Sequence, residues 1–565
     1  MSKYDIRTCN HARCHSSLTE LLTVRWLTWI SLPVLGLLLS AVVQTAGSVE
    51  TPLSAPPAVP ESQRLDAAVE RLNQYFQQRW QQAGVQPVAQ ADELTVFRRV
   101  SLALFGCVPA LAEIKAFEQD LQPDRLDRWI VRMLRDERFG RYFADRLARS
   151  LTGVEQGPLF IFRRDRLRDW LAEQVLADAS WARMTRDLIA AEGLWTDQPA
   201  ANFITIARME NEEIDETKLA GRTVRAFLGQ RIDCAQCHDH PFDPQWKQPH
   251  FEGLAAWYCQ ATVSLAGVTD FDRDKAEQPV VYRITEPGRD SESGRTVDPA
   301  VPFNAEWLPA TGSLRSRLAA WVTHPKNRRF ERAIANRIWG LMIGRPLQDP
   351  VDDLPHPEDS AAPDALDLLG SEFRNRGERL SVLIRLIALS QPFNLSSESS
   401  EQDVLLLKQQ QQHWAVFPLV RLRPEQVIGS LFQAGRVRMV DQNSHPLIRF
   451  QKLTSENDFI QEYGDAGEDE LNPQSGTITQ SLLKMNGRFT AESLKVDLLS
   501  GPAEVLQLSP DDATVIENSF LMCLTRRPAA AEQQYFLEQL KNNRSQAVED
   551  LFWALFNSPE FSWNH

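Results

Sequence analysis

Five consecutive residues carry the most chemistry in this chain: Cys234-Ala235-Gln236-Cys237-His238. Two cysteines separated by two residues can form thioether bonds to the two adjacent vinyls of a porphyrin. A histidine directly after them then reaches the iron as its proximal ligand. The spacing therefore predicts covalent haem c attachment at Cys234 and Cys237, with His238 as the axial ligand. The residues that follow keep a second chemistry open. His240, Asp243 and His250 lie close enough in sequence to join His238 and the two cysteines around a zinc or iron ion without porphyrin. Two further readings stay beside these. One is a redox dithiol, since Cys-x-x-Cys lowers a thiol pKa. The other is a cofactor-free motif in an envelope scaffold or interaction protein, its cysteines paired or buried.

The sixth iron ligand has formal candidates in Met209, His240, His250, His356 and Met485. His240 is too near His238 for one backbone stretch to cover both haem faces. A methionine at helical spacing is more often core than ligand. Asp349, Asp352 and Asp353 lack calcium-loop spacing and read as a turn. Cys9 and Cys14-His15 imitate the motif loosely but precede the apolar leader. The sequence holds no phosphate-binding glycine loop, no nucleophile elbow and no paired-histidine zinc protease motif.

The chain's start bears on this chemistry, because haem c is attached outside the cytoplasmic membrane. An apolar run from Trp26 to Val43 follows Lys3, Arg7, Arg13 and Arg25, and the next basic residue is Arg64. This asymmetry predicts a cytoplasmic segment 1–25, a signal peptide or uncleaved anchor at 26–47, and export of the remainder. The location expected is periplasmic or cell-envelope, tethered to the cytoplasmic membrane if the segment is uncleaved. A net charge of −14 argues against nucleic acid as a partner, since phosphate binding needs a concentrated basic surface. A redox partner protein is expected instead. Seven cysteines in 565 residues give no disulfide framework.

The elements that must hold the motif read as helices. Residues 48–62 are a proline-rich linker. In 65–80, Leu65, Val69, Leu72, Phe76 and Trp80 recur at spacings of three and four, one face of a helix. Helical readings continue at 93–105, 110–120, 123–135, 137–152, 161–178 and 181–192, with Asp92 and Ser180 as N-caps. A helix over 216–231 leads into the motif. Residues 262–312 form a connector of loops and short strands, including Val280 to Ile284. Helices resume at 313–343, 363–375, 379–391, 424–434, 490–499, 510–525, 530–542 and 545–557. The fold class is mostly α, multi-helical, with two packed helical domains (63–261 and 313–565) and the connector between them.

Longer stretches resemble a known family. Phe97-Arg98-Arg99-Val100, Ala190-Ala191-Glu192-Gly193, Phe227-Leu228-Gly229 and Cys234 through Asp243 are similar to one half of it. Asn336-Arg337-Ile338-Trp339, Gly344-Arg345-Pro346, Asp352-Asp353, Arg423-Pro424-Glu425-Gln426, Met485-Asn486-Gly487 and Asn557 through Phe561 are similar to the other. The chain resembles exported planctomycete proteins that join two domains of unknown function, the first a planctomycete cytochrome-type domain. It departs from the family at Ala103, Phe105 and Ala361-Ala362-Pro363; the last change removes a histidine and counts against a site there. The resemblance implies a mostly helical fold, an envelope location and an association with polysaccharide-degrading envelope proteins. It implies little about the reaction.

Overall fold

The computed structural model describes residues 53–60, 63–153, 164–207, 214–270, 281–284, 294–359, 362–435, 459–460, 462–464, 471, 476–487, 490, 494–496 and 500–565. The leader, Met209, most of 456–476 and most of 490–499 lie outside them. The protein is mostly α, 61% helical, and its only sheets among the described residues are two-stranded.

The first helices are α1 (Asp66–Ala83), α2 (Glu93–Phe105), α3 (Leu111–Gln119), α4 (Arg125–Met133), α5 (Glu137–Thr152), α6 (Arg164–Leu176) and α7 (Trp181–Ala190). Their starts follow local side-chain chemistry. The Asp92 carboxylate accepts from Thr95 N at 3.0 Å, and the Ser180 hydroxyl accepts from Arg183 N. Each satisfies an orphan helix-start donor, a contribution of about 1 kcal/mol. Helix α1 buries Leu72, Phe76 and Trp80, each worth roughly 1.5–3 kcal/mol over exposure. It ends at Gly84, whose positive φ of 66° suits glycine.

Helices α8 (Glu216–Thr223) and α9 (Gln248–Ala255) flank the cysteine motif. The second half holds α10 (Leu314–Val322), α11 (Arg328–Ile343), α12 (Ala365–Asn375), α13 (Leu380–Leu389), α14 (Val404–Gln412) and α15 (Pro424–Gly435). Then come α16 (Ile478–Asn486), α17 (Gly501–Leu508), α18 (Asp512–Leu524), α19 (Ala530–Leu540) and α20 (Arg544–Asn557). The helical texture at 313–343 is two helices, because Pro325 between them has no N–H to continue α10. In the connector, β1 (Ala261–Ser264) pairs antiparallel with β2 (Gly267–Asp270), and β3 (Tyr282–Ile284) with β4 (Arg295–Val297). A last pair, β5 (Val420–Arg421) and β6 (Trp563–Asn564), fastens the C-terminus.

Helix α11 is buried on nearly all sides. Its Trp339 ring stacks on Phe76 of α1 at 5.7 Å, and its Asn336 side chain bonds the backbone of Gln348 in both directions. One apolar cluster runs from Leu65 through Phe227, Ala235, Trp339 and Phe417, on both sides of the connector. A smaller cluster gathers apolar side chains of the described residues between Leu422 and Phe561 with Leu102 of α2 and Val108. Two buried arginines of α2 explain the Phe97-Arg98-Arg99 stretch. Arg98 donates to the Cys523 carbonyl at 3.1 Å, and Arg99 to the Phe393 and Leu395 carbonyls at 2.6 and 2.7 Å. These residues tie the two halves together.

Candidate functional site

The helix expected over 216–231 is α-helical only to Thr223. It continues as a π turn, Val224–Leu228, and stops at Gly229, whose φ is 65°. Single π turns are rare and recur at functional sites. Gly229 sits where the second half meets the motif: its carbonyl accepts from Leu354 N at 2.8 Å, and a Cβ there would stand 3.0 Å from Ala333 and Leu354. Two residues on, Arg231 donates to the buried Asp352 carboxylate at 2.7 Å, and Arg225 of the π turn donates to its other oxygen. Burial pushes the Asp352 carboxyl up, but the two guanidiniums outweigh it and hold it below its usual range. Asp352 is thus an ion-pair fork between the halves.

Cys234 lies on a 3₁₀ turn, Asp233–Gln236, pinned by the buried Ile232 and Ala235. Cys237 follows the turn as its cap, its N–H donating to the Cys234 carbonyl at 3.3 Å. Both are free thiols and exposed, neither paired nor buried. His238 is exposed, with Nδ1 2.7 Å from the Asp239 carbonyl. That bond requires Nδ1 to carry the proton, which leaves Nε2 as the ligating nitrogen.

The following loop folds on itself. His240 N donates to the Trp246 carbonyl at 2.9 Å, and Trp246 N to the Asp243 carbonyl at 3.1 Å. Trp246 anchors the loop from inside, while Phe242 is 92% exposed. The Asp239 carboxylate accepts from Gln248 N at 3.0 Å, at the start of α9. His250 Nδ1 is 2.8 Å from the Gln245 carbonyl, closer than the 3.3 Å to Lys247 N, so it donates and its Nε2 is the other open imidazole nitrogen. His240 Nδ1 makes only a long contact, 3.4 Å, with Phe242 N.

Asp243 turns away from these groups to the second half. Its carboxylate accepts from His356 Nε2 at 2.7 Å. His356 Nδ1 faces two donors, Arg329 Nη1 at 2.5 Å and Gln230 Nε2 at 3.2 Å. His356 is therefore the Nε2–H tautomer with both nitrogens engaged, and has none left for iron. Among the described residues, no three histidine, cysteine or acidic side chains gather as a metal set. Met485 lies on α16, which packs against α20.

A cavity of about 250 Å³ opens beside the loop, between Trp246 and His250 on one side and Phe303, Arg329 and His356 on the other. None of Cys234, Cys237 and His238 lines it. Gln230, Arg329 and the Asp243–His356 bond carry no signature in the sequence, because their partners lie 27 to 126 residues apart. Helix α11 carries four arginines, Arg328, Arg329, Arg332 and Arg337, and their spacing does not single out Arg329.

Residues 71–262 match the family model described as a protein of unknown function, DUF1549, and residues 314–540 match the one described as a protein of unknown function, DUF1553. The chain carries these two domains in that order. No curated protein and no solved structure matches it.

Proposed function

We propose that this chain of two domains of unknown function is an exported haem c protein with an electron-transfer or redox role, tethered to the membrane by its N-terminal segment. The observation that carries the reading is the state of the motif itself. Two free, exposed thiols stand on a short turn and at its cap, and the neighbouring imidazole is held at Nδ1 by the Asp239 carbonyl with Nε2 left open. Metal-ligating histidines are commonly fixed this way through their second nitrogen. Cys234 and Cys237 would hold the haem and His238 would ligate its iron. Bound haem supplies one-electron chemistry, with a potential set by ligation and solvent exposure. The Asp239 carbonyl orients the ring. The apolar run at 26–43 supports the reading, because as an export signal it would carry the motif out of the cytoplasm, where attachment takes place; that run lies outside the described residues, and no described helix is long and apolar enough to cross a membrane.

A second reading, a zinc or iron site without porphyrin, has one observation in its favour: His250 is held at Nδ1 by a backbone carbonyl as His238 is. A pyridine haemochrome spectrum separates the two. The full chain, produced in a host with haem c maturation and then denatured, should keep haem absorbance, and Cys234→Ala with Cys237→Ala should lose it. Stoichiometric zinc or iron with no haem absorbance would select the second reading.

A further inference from the structure

We infer that the cavity between the motif loop and the second half binds a small carboxylate with a flat apolar body. The inference stands apart from the haem reading, since none of the haem-attaching residues lines this cavity. Its ionisable lining consists of Arg329, His250 and His356, with no carboxylate among them. Arg329 is 6% exposed, and a guanidinium kept from water seeks an anion with two oxygens.

Three carboxylates stand near Arg329 but outside the lining: Asp243, Glu358 and Asp359. Asp243 is occupied by His356 Nε2. Glu358 accepts from Arg329 Nη2 at 2.9 Å and is 60% exposed, so it is the native competitor for the arginine. Trp246, Phe303, Pro244 and Pro302 supply flat apolar walls, and the Arg329 guanidinium already lies 4.6 Å above the Phe303 ring. The volume falls below the roughly 300–1,000 Å³ of drug-sized sites, which limits the occupant to about one ring or a short chain.

The test is calorimetric titration of the full chain with benzoate, with benzamide and inorganic phosphate as controls. Benzoate should bind saturably, benzamide at least about tenfold more weakly, and phosphate should not compete, because charge and apolar wall are both read. Arg329→Gln should weaken benzoate at least about tenfold, and Glu358→Gln should tighten it about threefold or more by removing the competing anion. Glu358 is exposed, so its variant stays informative if the Arg329 variant fails to fold. No saturable benzoate binding, equal binding of benzamide, equal competition by phosphate, or unchanged affinity in Glu358→Gln would each overturn the inference.

Discussion

Asp352→Asn should loosen the contact between the motif and the second half while leaving the motif's own residues untouched. The carboxylate is 1% exposed and receives Nε of both Arg225 and Arg231. A hydrogen bond to a charged group is worth about 1.5–3 kcal/mol. Asparagine keeps one acceptor but turns an NH₂ towards the other guanidinium, a donor against a donor. The arginines are partly hydrated, with side chains 24% and 40% exposed, so the cost falls short of the 3–5 kcal/mol of a fully buried broken pair. An opening penalty reduced by about 2 kcal/mol corresponds to roughly a thirtyfold faster exchange at one tenfold per 1.4 kcal/mol. Amide hydrogen exchange at Leu354, whose N–H is bonded to the Gly229 carbonyl, reads this locally. The pH dependence follows from the sign of the shift. Asp352 is held below its ordinary value, so its contribution is full above the unfolded pKa of about 3.9 and is lost as pH falls through the lower folded value. The difference between wild type and variant should therefore persist at pH 5 and vanish only in strong acid. Exchange at Leu354 within threefold of wild type at neutral pH would refute the fork as the joint between the halves.

In protein made without haem maturation, iodoacetamide should modify Cys234 and Cys237 quickly and Cys107 and Cys523 slowly, as peptide mass spectrometry would show. The first pair is exposed and the second buried, and burial pushes the Cys523 thiol up. Gly229→Ala should cost about 2 kcal/mol, measured by urea denaturation, since alanine is disfavoured at φ 65° and its Cβ would crowd Ala333 and Leu354. Burial, more than the Arg374 guanidinium can offset, pushes the Glu331 carboxyl up to about 7. Its folded value exceeds its unfolded one, so the protein should lose stability as pH rises from about 4.3 to 7, and Glu331→Gln should flatten that part of the thermal-melt profile.

The parts legible in the sequence are those fixed by neighbours along the chain. The period of Leu72, Phe76 and Trp80 locates α1, and Asp92 and Ser180 mark helix starts that their side chains do cap. The β3 strand is found over Tyr282–Ile284, within the expected 280–284. The cysteine turn is equally local. Readings fail where distant residues decide. The motif helix changes to a π turn at Val224, next to Arg225, whose partner Asp352 lies 127 positions on. His356 looks like a free ligand until Asp243, Arg329 and Gln230 are seen around it. Asp352 looks like a turn residue until two arginines converge on it. Periodicity carries no information about such pairs, because ion-pair partners on different elements impose no spacing on the chain.

The apolar cluster that crosses the connector has a consequence for heredity. Leu65 to Val268 and Leu314 to Phe417 contribute to the same buried mass, and Leu102 and Val108 of the first stretch complete the smaller one. A gene fragment encoding either stretch alone would produce a chain with one wall of its interior missing, an exposed apolar face of the kind that drives aggregation. The two unknown-function segments should therefore pass between genomes as a single cassette, and recombination within the connector should be selected against.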